Sequence, residues 1–112
     1  AKFRADELTS SETKKNLYRR DENKHGRISA ALGVDLFDEG EEAISNADHL
    51  EIPTLVMHGS VDRITCPTAA REFVEKCPTA EFKLWSDKRH ELHNEEDNQL
   101  IVEYLIKWME DL

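Results

Sequence analysis

The chain has 112 residues, which is enough for one modest domain. Its 15 basic and 24 acidic residues give a formal net charge of -9, and this charge makes nucleic acid a poor partner because phosphate is also negative. No run of about 18 apolar residues occurs, so no membrane-spanning helix is predicted. Because the chain begins at Ala1 rather than Met, we expect its native start to lie upstream.

Residues 1–51 are polar and helix-prone. The sequence that starts at Thr9 fits a capping box, in which Thr9 is the N-cap and the Glu12 side chain reaches back to it. This pattern predicts a helix from about Ser10 to Arg19, followed by a loop from Asp21 to Gly26. The predicted helix has few apolar residues, so it needs a surface to lie on.

From Ile28 to Leu50, apolar side chains recur at roughly helical spacing. They are Leu32, Leu36, Phe37, Ile44 and Ala47. Because Gly33 and Gly40 interrupt the pattern and glycine weakens a helix, we expect two short helices or one broken helix in this stretch.

Residues 52–112 alternate between strand and helix patterns. A short apolar run of β-formers spans Thr54–His58, and polar and apolar side chains alternate over Glu81–Trp85, so both segments are predicted strands. Between them, Pro67 suits the first turn of a helix that ends before Pro78.

A last helix is predicted from about Glu96 to Leu112 by apolar residues at helical spacing. The order is then strand, helix, strand, helix, and strands joined by a helical crossover are usually parallel with a right-handed connection. We therefore predict an α/β fold. Parallel strands need cover on both faces, so either the N-terminal half supplies further strands or the sheet continues in polypeptide outside the chain.

The two cysteines, Cys66 and Cys77, flank the predicted middle helix. At about 1.5 Å of rise per residue they lie roughly 15 Å apart, whereas a disulfide needs Cα atoms within about 7 Å. We expect free thiols, which suit a reducing compartment such as the cytoplasm.

Each predicted strand is followed by a loop that carries a titratable residue, Asp62 in the first loop and His90 in the second. Parallel neighbours send both loops to one edge of the sheet, where ligands bind in open α/β folds. A carboxylate beside an imidazole can fix its tautomer, and the other ring nitrogen can then take a proton from a nucleophile. The alternative is that Asp62 is only a turn former or helix cap.

The residues themselves resemble a known family. The segment Ile52–Thr65 closely resembles the stretch around the triad aspartate of α/β-hydrolases, nearest to the monoacylglycerol lipase and lysophospholipase-like serine hydrolases. The segment Arg89–Glu95 is similar to the one that carries their catalytic histidine, and the closing helix with Trp108 also matches. The resemblance implies that Asp62 orients the histidine and that His90 is the general base.

The same resemblance implies a division of the chain. Residues 1–51 look like the helical cap, or lid, of these enzymes, and residues 52–112 look like the C-terminal βαβα part of the α/β-hydrolase core. His93 and Glu95 would belong to the motif around His90 rather than to the proton relay. The implied substrate is a carboxylic ester, lipid-like in character, such as a monoacylglycerol or lysophospholipid, and no cofactor is expected.

Four apolar cap residues are candidates for an apolar wall along an acyl chain. They are Leu32, Leu36, Phe37 and Ile44. The alternative is that these side chains simply hold the cap onto the main domain, which is the commoner use of apolar residues.

The chain departs from the family in one large respect, because no Gly-x-Ser-x-Gly nucleophile elbow occurs in it. The resemblance therefore implies the C-terminal part of a larger enzyme, with the nucleophile upstream and no esterase activity in the chain alone. The expected partners are a small-molecule or lipid ester, the missing N-terminal part of the same fold or a second copy, and a membrane surface contacted peripherally.

The same loops contain further histidines and serines. His90 and His93 are spaced as a His-x-x-His pair, but a metal site needs further ligands and the zinc-protease spacing is absent, so no metal is predicted. His58 ends an apolar strand, where a hydrogen-bonded structural role is favoured. Ser60 and Ser86 lie at the expected edge, but neither has the glycine context of a nucleophile.

Two other functions stay open. A non-catalytic binding or interaction module would explain the missing nucleophile, and an open strand edge can pair with another chain. An amidase, peptidase or thioesterase would use the same aspartate and histidine with a different leaving group.

Overall fold

The computed structural model describes residues 3–112. In chain order the elements are α1 (Ala5–Leu8), α2 (Glu12–Arg20), α3 (Ala30–Ser45), β1 (Thr54–Gly59), α4 (Pro67–Lys76), β2 (Ala80–Trp85) and α5 (Asn98–Glu110), with short 3₁₀ turns at Ala47–His49 and Leu92–Asn94. Within this range, none of the helices combines the length and the apolar character that a bilayer crossing requires.

The two strands form a parallel pair, in register from Thr54 opposite Ala80 to Gly59 opposite Trp85. Helix α4 makes the crossover between them. The predicted α/β class and the order strand, helix, strand, helix are therefore confirmed. Among residues 3–51 the structure has no further strand of this sheet.

Helices α4 and α5 pack on opposite faces of β2. The guanidinium of Arg71, on α4, lies 4.6 Å from the centre of the Phe82 ring. On α5, the Tyr104 ring meets the Trp85 ring edge to face at 5.7 Å. Since Phe82 and Trp85 are three apart in a strand, their side chains point to opposite faces, and the two helices provide the cover that parallel strands need.

The predicted N-cap of α2 was wrong. Ser11, not Thr9, caps this helix, and its hydroxyl accepts a hydrogen bond from the Lys14 N–H at 3.3 Å. The Thr9 hydroxyl instead donates to the carbonyl of Asn94 at 2.8 Å. A tertiary contact has taken the side chain that the local pattern assigned to the cap.

The expectation of a broken helix after Ile28 was also wrong. Residues Ala30–Ser45 form one continuous helix that contains both Gly33 and Gly40. Its start is fixed by Ser29, whose hydroxyl accepts from the Leu32 N–H at 3.0 Å. Glycine costs a helix about 1 kcal/mol at each position, which lowers stability without forcing a break.

Few apolar side chains of the described residues are fully buried. They are Leu8, Ala47, Cys77 and Ile101. Both cysteines are free thiols, as their predicted separation required. Many large apolar side chains remain exposed, among them Leu17, Val34, Leu36, Phe37, Ile52, Leu100 and Met109. The chain therefore presents more apolar surface than its own core covers.

Gly59 permits the loops after β1 and β2 to touch. A Cβ at this position would overlap the carbonyl oxygens of Lys88 and Arg89, which are backbone atoms of the second loop. The backbone pairing continues past the strands, since the Ser60 N–H donates to the Trp85 carbonyl at 2.9 Å and the Val61 N–H to that of Lys88 at 3.0 Å. Only glycine allows the backbone of the two loops to come this close.

We predict that Gly59→Ala lowers the free energy of unfolding by about 3 kcal/mol, because a methyl group would force the two loops apart. Gly40→Ala is the matched control. A Cβ there meets no atom within 4 Å, and alanine in a helix should stabilise the chain by about 0.5–1 kcal/mol. Urea unfolding of both variants measures the difference, and equal effects would contradict the role given to Gly59.

Candidate active site

The carboxylate of Asp62 is held by hydrogen bonds from its own loop. Its Oδ1 accepts from the Ile64 N–H at 2.7 Å and from the Thr65 N–H at 3.1 Å. Its Oδ2 accepts from the Thr65 hydroxyl at 2.7 Å. The side chain is only 3% exposed, so the loop that begins as a simple Asx turn fixes a buried carboxylate in one orientation.

The balance of burial and hydrogen bonding decides the charge of Asp62. Burial raises the pKa of this carboxyl, but the hydrogen bonds from His90, Ile64 and Thr65 favour the ionised form and together hold the pKa below its ordinary value. The side chain is therefore an anion at neutral pH. It is an acceptor for its neighbours and not a proton donor.

The second loop brings His90 to this carboxylate. The Nδ1 atom of His90 lies 2.9 Å from Oδ2 of Asp62. An ionised carboxylate has no hydrogen to give, so Nδ1–H of His90 is the donor. In the neutral ring this leaves Nε2 with its lone pair free, and the imidazole is 35% exposed. The predicted meeting of Asp62 and His90 is thus present in the structure.

The turn between β2 and His90 is attached to the first loop. Asp87 has a φ of 59°, in the left-handed region that aspartate tolerates better than most residues. Its N–H donates to the Ser60 hydroxyl at 2.9 Å. Ser60 therefore connects the first loop to the second through this hydrogen bond.

A second buried carboxylate, that of Glu95, holds the loop that carries His90. This residue is only 2% exposed. Its Oε1 accepts from the Arg89 N–H at 2.8 Å, and its Oε2 accepts from the Ser10 N–H at 3.2 Å and from the Ser10 hydroxyl. Arg89 is next to His90 in the chain, so Glu95 connects the His90 loop to Ser10, which lies 85 residues before Glu95.

Two further bonds join the same segments. The Glu91 N–H donates to the Leu8 carbonyl at 2.7 Å, and Thr9 donates to Asn94 as described above. The sequence placed Glu95 in the motif around His90 but gave no sign of its partner. A glutamate is rarely buried without partners. The sequence does not show that Ser10 folds back to be the partner of Glu95.

The other candidates have structural surroundings. His58 is buried, with Nδ1 2.9 Å from the Gly59 carbonyl oxygen and Nε2 3.0 Å from the Thr65 hydroxyl. His93 is exposed and its Nε2 lies 3.3 Å from the Asn94 amide nitrogen. Ser86 is exposed. Among the described residues, neither Ser60 nor Ser86 makes a hydrogen bond with His90.

The four cap residues proposed for an acyl chain lie on α3, which packs against α4. Leu32, Leu36 and Phe37 are 45–69% exposed, and Ile44 is half-buried. Leu32, Leu36 and Phe37 are therefore not part of the core formed by the described residues. Their role toward a substrate stays a prediction.

A cleft of about 380 Å³ opens beside Val61, next to the Asp62 loop. The rest of its lining is charged: Arg4, Asp6, Glu7, Arg63 and Arg89. Acyl chains bind in pockets with mostly apolar walls. This cleft is not of that kind.

The chain has relatives among known proteins. The model of the family described as "Serine aminopeptidase, S33" matches residues 1–97. An uncharacterized abhydrolase domain-containing protein of Dictyostelium discoideum is 31% identical over 99 residues, which are 86% of this chain and 11% of that protein. The monoacylglycerol lipase of Mycolicibacterium smegmatis is 26% identical over 87 residues, 76% of this chain and 31% of that protein.

A solved structure has the same fold. The crystal structure of Paleococcus ferrophilus monoacylglycerol lipase superimposes with a TM-score of 0.79 and 27% identity, and the match covers 94% of this chain and 44% of that one. The chain therefore spans less than half the length of each of these three relatives. The resemblance to α/β-hydrolases found in the sequence is confirmed.

We predict that Glu95→Ala lowers the free energy of unfolding by about 3 kcal/mol, because the donors of Ser10 and Arg89 lose a buried acceptor. The neighbouring exposed residue gives the matched control, Glu96→Ala, for which we expect a change within about 0.5 kcal/mol. Chemical denaturation measures both. Similar values for the two variants would show that the buried carboxylate does not hold the loop.

Proposed function

Because the chain belongs to the serine aminopeptidase S33 family of α/β-hydrolases, we propose that it supplies the acid and the base of a catalytic triad. Asp62 is the acid and His90 is the general base. The observation that carries the proposal is the hydrogen bond of 2.9 Å between a buried carboxylate and a half-exposed imidazole. The nucleophilic serine comes from polypeptide upstream of the chain.

The proposed reaction follows from this geometry. Asp62 accepts Nδ1–H of His90, so Nε2 takes the serine proton while the serine oxygen attacks the substrate carbonyl. His90 then gives that proton to the leaving alcohol as the carbonyl–oxygen bond breaks. Water then attacks the acyl-serine and gives a proton to Nε2; as the bond between the acyl carbon and the serine oxygen breaks, Nε2 returns that proton to the serine oxygen and the acid is released.

We propose a lipid-like ester, such as a monoacylglycerol or lysophospholipid, as the substrate. Two of the relatives above are named monoacylglycerol lipases. The exposed apolar side chains of α3 support this, because they offer the apolar wall that the charged cleft lacks. In this proposal residues 1–51 are the cap and residues 52–112 are part of the core.

The upstream part of the same fold is the proposed partner. Strand β1 pairs only with β2 among the described residues, so its other edge has free N–H and C=O groups. A further parallel strand on that edge would extend the sheet. Self-association through this edge is the alternative for the chain by itself.

A peptidase is the second candidate, because the matched family is described as a serine aminopeptidase. The same aspartate and histidine serve an amide as well as an ester, and only the leaving group differs. A non-catalytic interaction module is the third possibility, and it requires that no serine partner for His90 exists.

The test uses the parent polypeptide that includes the sequence upstream of Ala1, with a monoacylglycerol, a lysophospholipid and an aminoacyl anilide as substrates. We predict ester hydrolysis that falls by about 10³-fold or more in His90→Asn. His93→Asn is the matched control, since His93 is exposed and makes no described contact with Asp62. We expect its activity to change less than twofold.

A fluorophosphonate probe, which labels activated serines, separates the alternatives. We expect an adduct on the parent polypeptide and none on the 112-residue chain. Faster hydrolysis of the anilide than of the esters would favour the peptidase function over the esterase function. An adduct on the chain alone, or equal activity in His90→Asn and His93→Asn, would overturn the proposal.

A further inference from the structure

Asp62 has a second histidine beside it. His58, near the end of β1, is buried, and its Nε2 lies 3.6 Å from Oδ2 of Asp62, the same oxygen that His90 contacts. We infer that His58 carries a hydrogen on both ring nitrogens and is a charged positioning residue that directs the Thr65 hydroxyl onto Asp62.

Three short contacts carry the inference. Nδ1 of His58 lies 2.9 Å from the Gly59 carbonyl oxygen. Nε2 of His58 lies 3.0 Å from Oγ1 of Thr65. That same Oγ1 lies 2.7 Å from Oδ2 of Asp62. Each pair of atoms is at hydrogen-bond distance, so each needs one hydrogen between its members.

Counting hydrogens leaves one arrangement that satisfies all three contacts. A carbonyl oxygen only accepts, so Nδ1 of His58 must donate to Gly59. An ionised carboxylate also only accepts, so the single hydroxyl hydrogen of Thr65 must go to Asp62. With that hydrogen used, Nε2 of His58 must donate to the hydroxyl oxygen. Both ring nitrogens then carry hydrogen, and the ring is an imidazolium.

Either neutral tautomer leaves one contact without a hydrogen. With hydrogen on Nε2 alone, the lone pair of Nδ1 would face the Gly59 oxygen. With hydrogen on Nδ1 alone, the bare Nε2 would compete with Asp62 for the Thr65 hydroxyl hydrogen. An unpaired polar contact in a buried place is costly, so the charged ring is the form that the geometry favours.

The local charges agree with this assignment. Two titratable groups contact the network, Asp62 on the first loop and His90 on the second. The Asp62 carboxylate is negative and 3% exposed, and a buried anion requires a nearby positive charge or several donors. His90 approaches the same oxygen with Nδ1, which also lies 3.4 Å from the Thr65 hydroxyl.

The consequence concerns how Asp62 is held. Four donors converge on its carboxylate: the N–H groups of Ile64 and Thr65, the Thr65 hydroxyl and His90. A charged His58 keeps the hydroxyl in that set, whereas a neutral ring with a bare Nε2 would withdraw it. This role in catalysis rests on the proposed function, but the protonation of His58 does not.

The test is a long-range ¹H–¹⁵N correlation spectrum of the chain, labelled with ¹⁵N on histidine, at pH 7.5. We expect both ring nitrogens of His58 to have the shifts of a protonated imidazole. A histidine peptide in the same buffer gives the neutral reference, because an ordinary imidazole has a pKa of about 6.5. The spectrum needs no serine and no hydrolysis, so a failure of the triad proposal leaves it readable.

Two variants connect the signal to Thr65. Thr65→Val removes the hydroxyl but keeps the shape and the N–H, so we expect His58 to lose its Nε2 hydrogen. Thr65→Ser restores the hydroxyl and should restore that hydrogen. The resonances of exposed His49 provide the control and should not change between variants.

Two results would overturn the inference. The first is a His58 ring nitrogen without hydrogen in the unaltered chain at pH 7.5. A chain that does not form the site would give the same result and would count in the same way. The second is retention of both ring hydrogens in Thr65→Val, which would remove the connection between His58 and the carboxylate.

Discussion

The contact between the two loops depends on the backbone at Gly59, where the end of one strand touches the carbonyls of the next loop. Strands β1 and β2 end in register, so both loops leave the sheet at the same level. The hydrogen bonds of Ser60 and Val61 to the second loop then set the loops side by side. Asp62 and His90 meet because the backbone already has this arrangement.

Two buried carboxylates complete the arrangement, one for each loop. Asp62 is held by donors of its own turn and by His90, and Glu95 is held by Ser10 and by the N–H of Arg89. A buried carboxylate without donors would be unfavourable by several kcal/mol, so each of them fixes the groups around it. Because Ser10 lies far from Glu95 in the chain, the N-terminal segment takes part in positioning the His90 loop.

The sequence predicted the C-terminal half well because its signals are local. Alternation, β-formers and Pro67 define β1, α4 and β2, and the parallel pairing follows from the crossover. The Asp62–His90 pair followed from the same argument, since it depends only on where two parallel strands end. The resemblance to α/β-hydrolases implies the roles that we propose for the two residues.

Features that depend on distant partners were not predictable in this way. Thr9 has the sequence of a helix cap, but Asn94 takes its hydroxyl and Ser11 becomes the cap. The sequence assigns Glu95 to a local motif, and it assigns no separate role to Thr65, although Thr65 ends the segment that resembles the family. In each case a hydrogen bond to another part of the chain decided the role, and a single sequence does not reveal such partners.

The proposed triad requires that the chain itself forms the Asp62–His90 hydrogen bond. The most direct measurement is the low-field ¹H spectrum of the folded chain, with the His90 Nδ1 hydrogen assigned through its nitrogen. We expect a resolved signal that exchanges with water more slowly than exposed imidazole hydrogens and that disappears in Asp62→Ala. A folded chain without this signal, or one that retains it in Asp62→Ala, would contradict the pairing of Asp62 with His90.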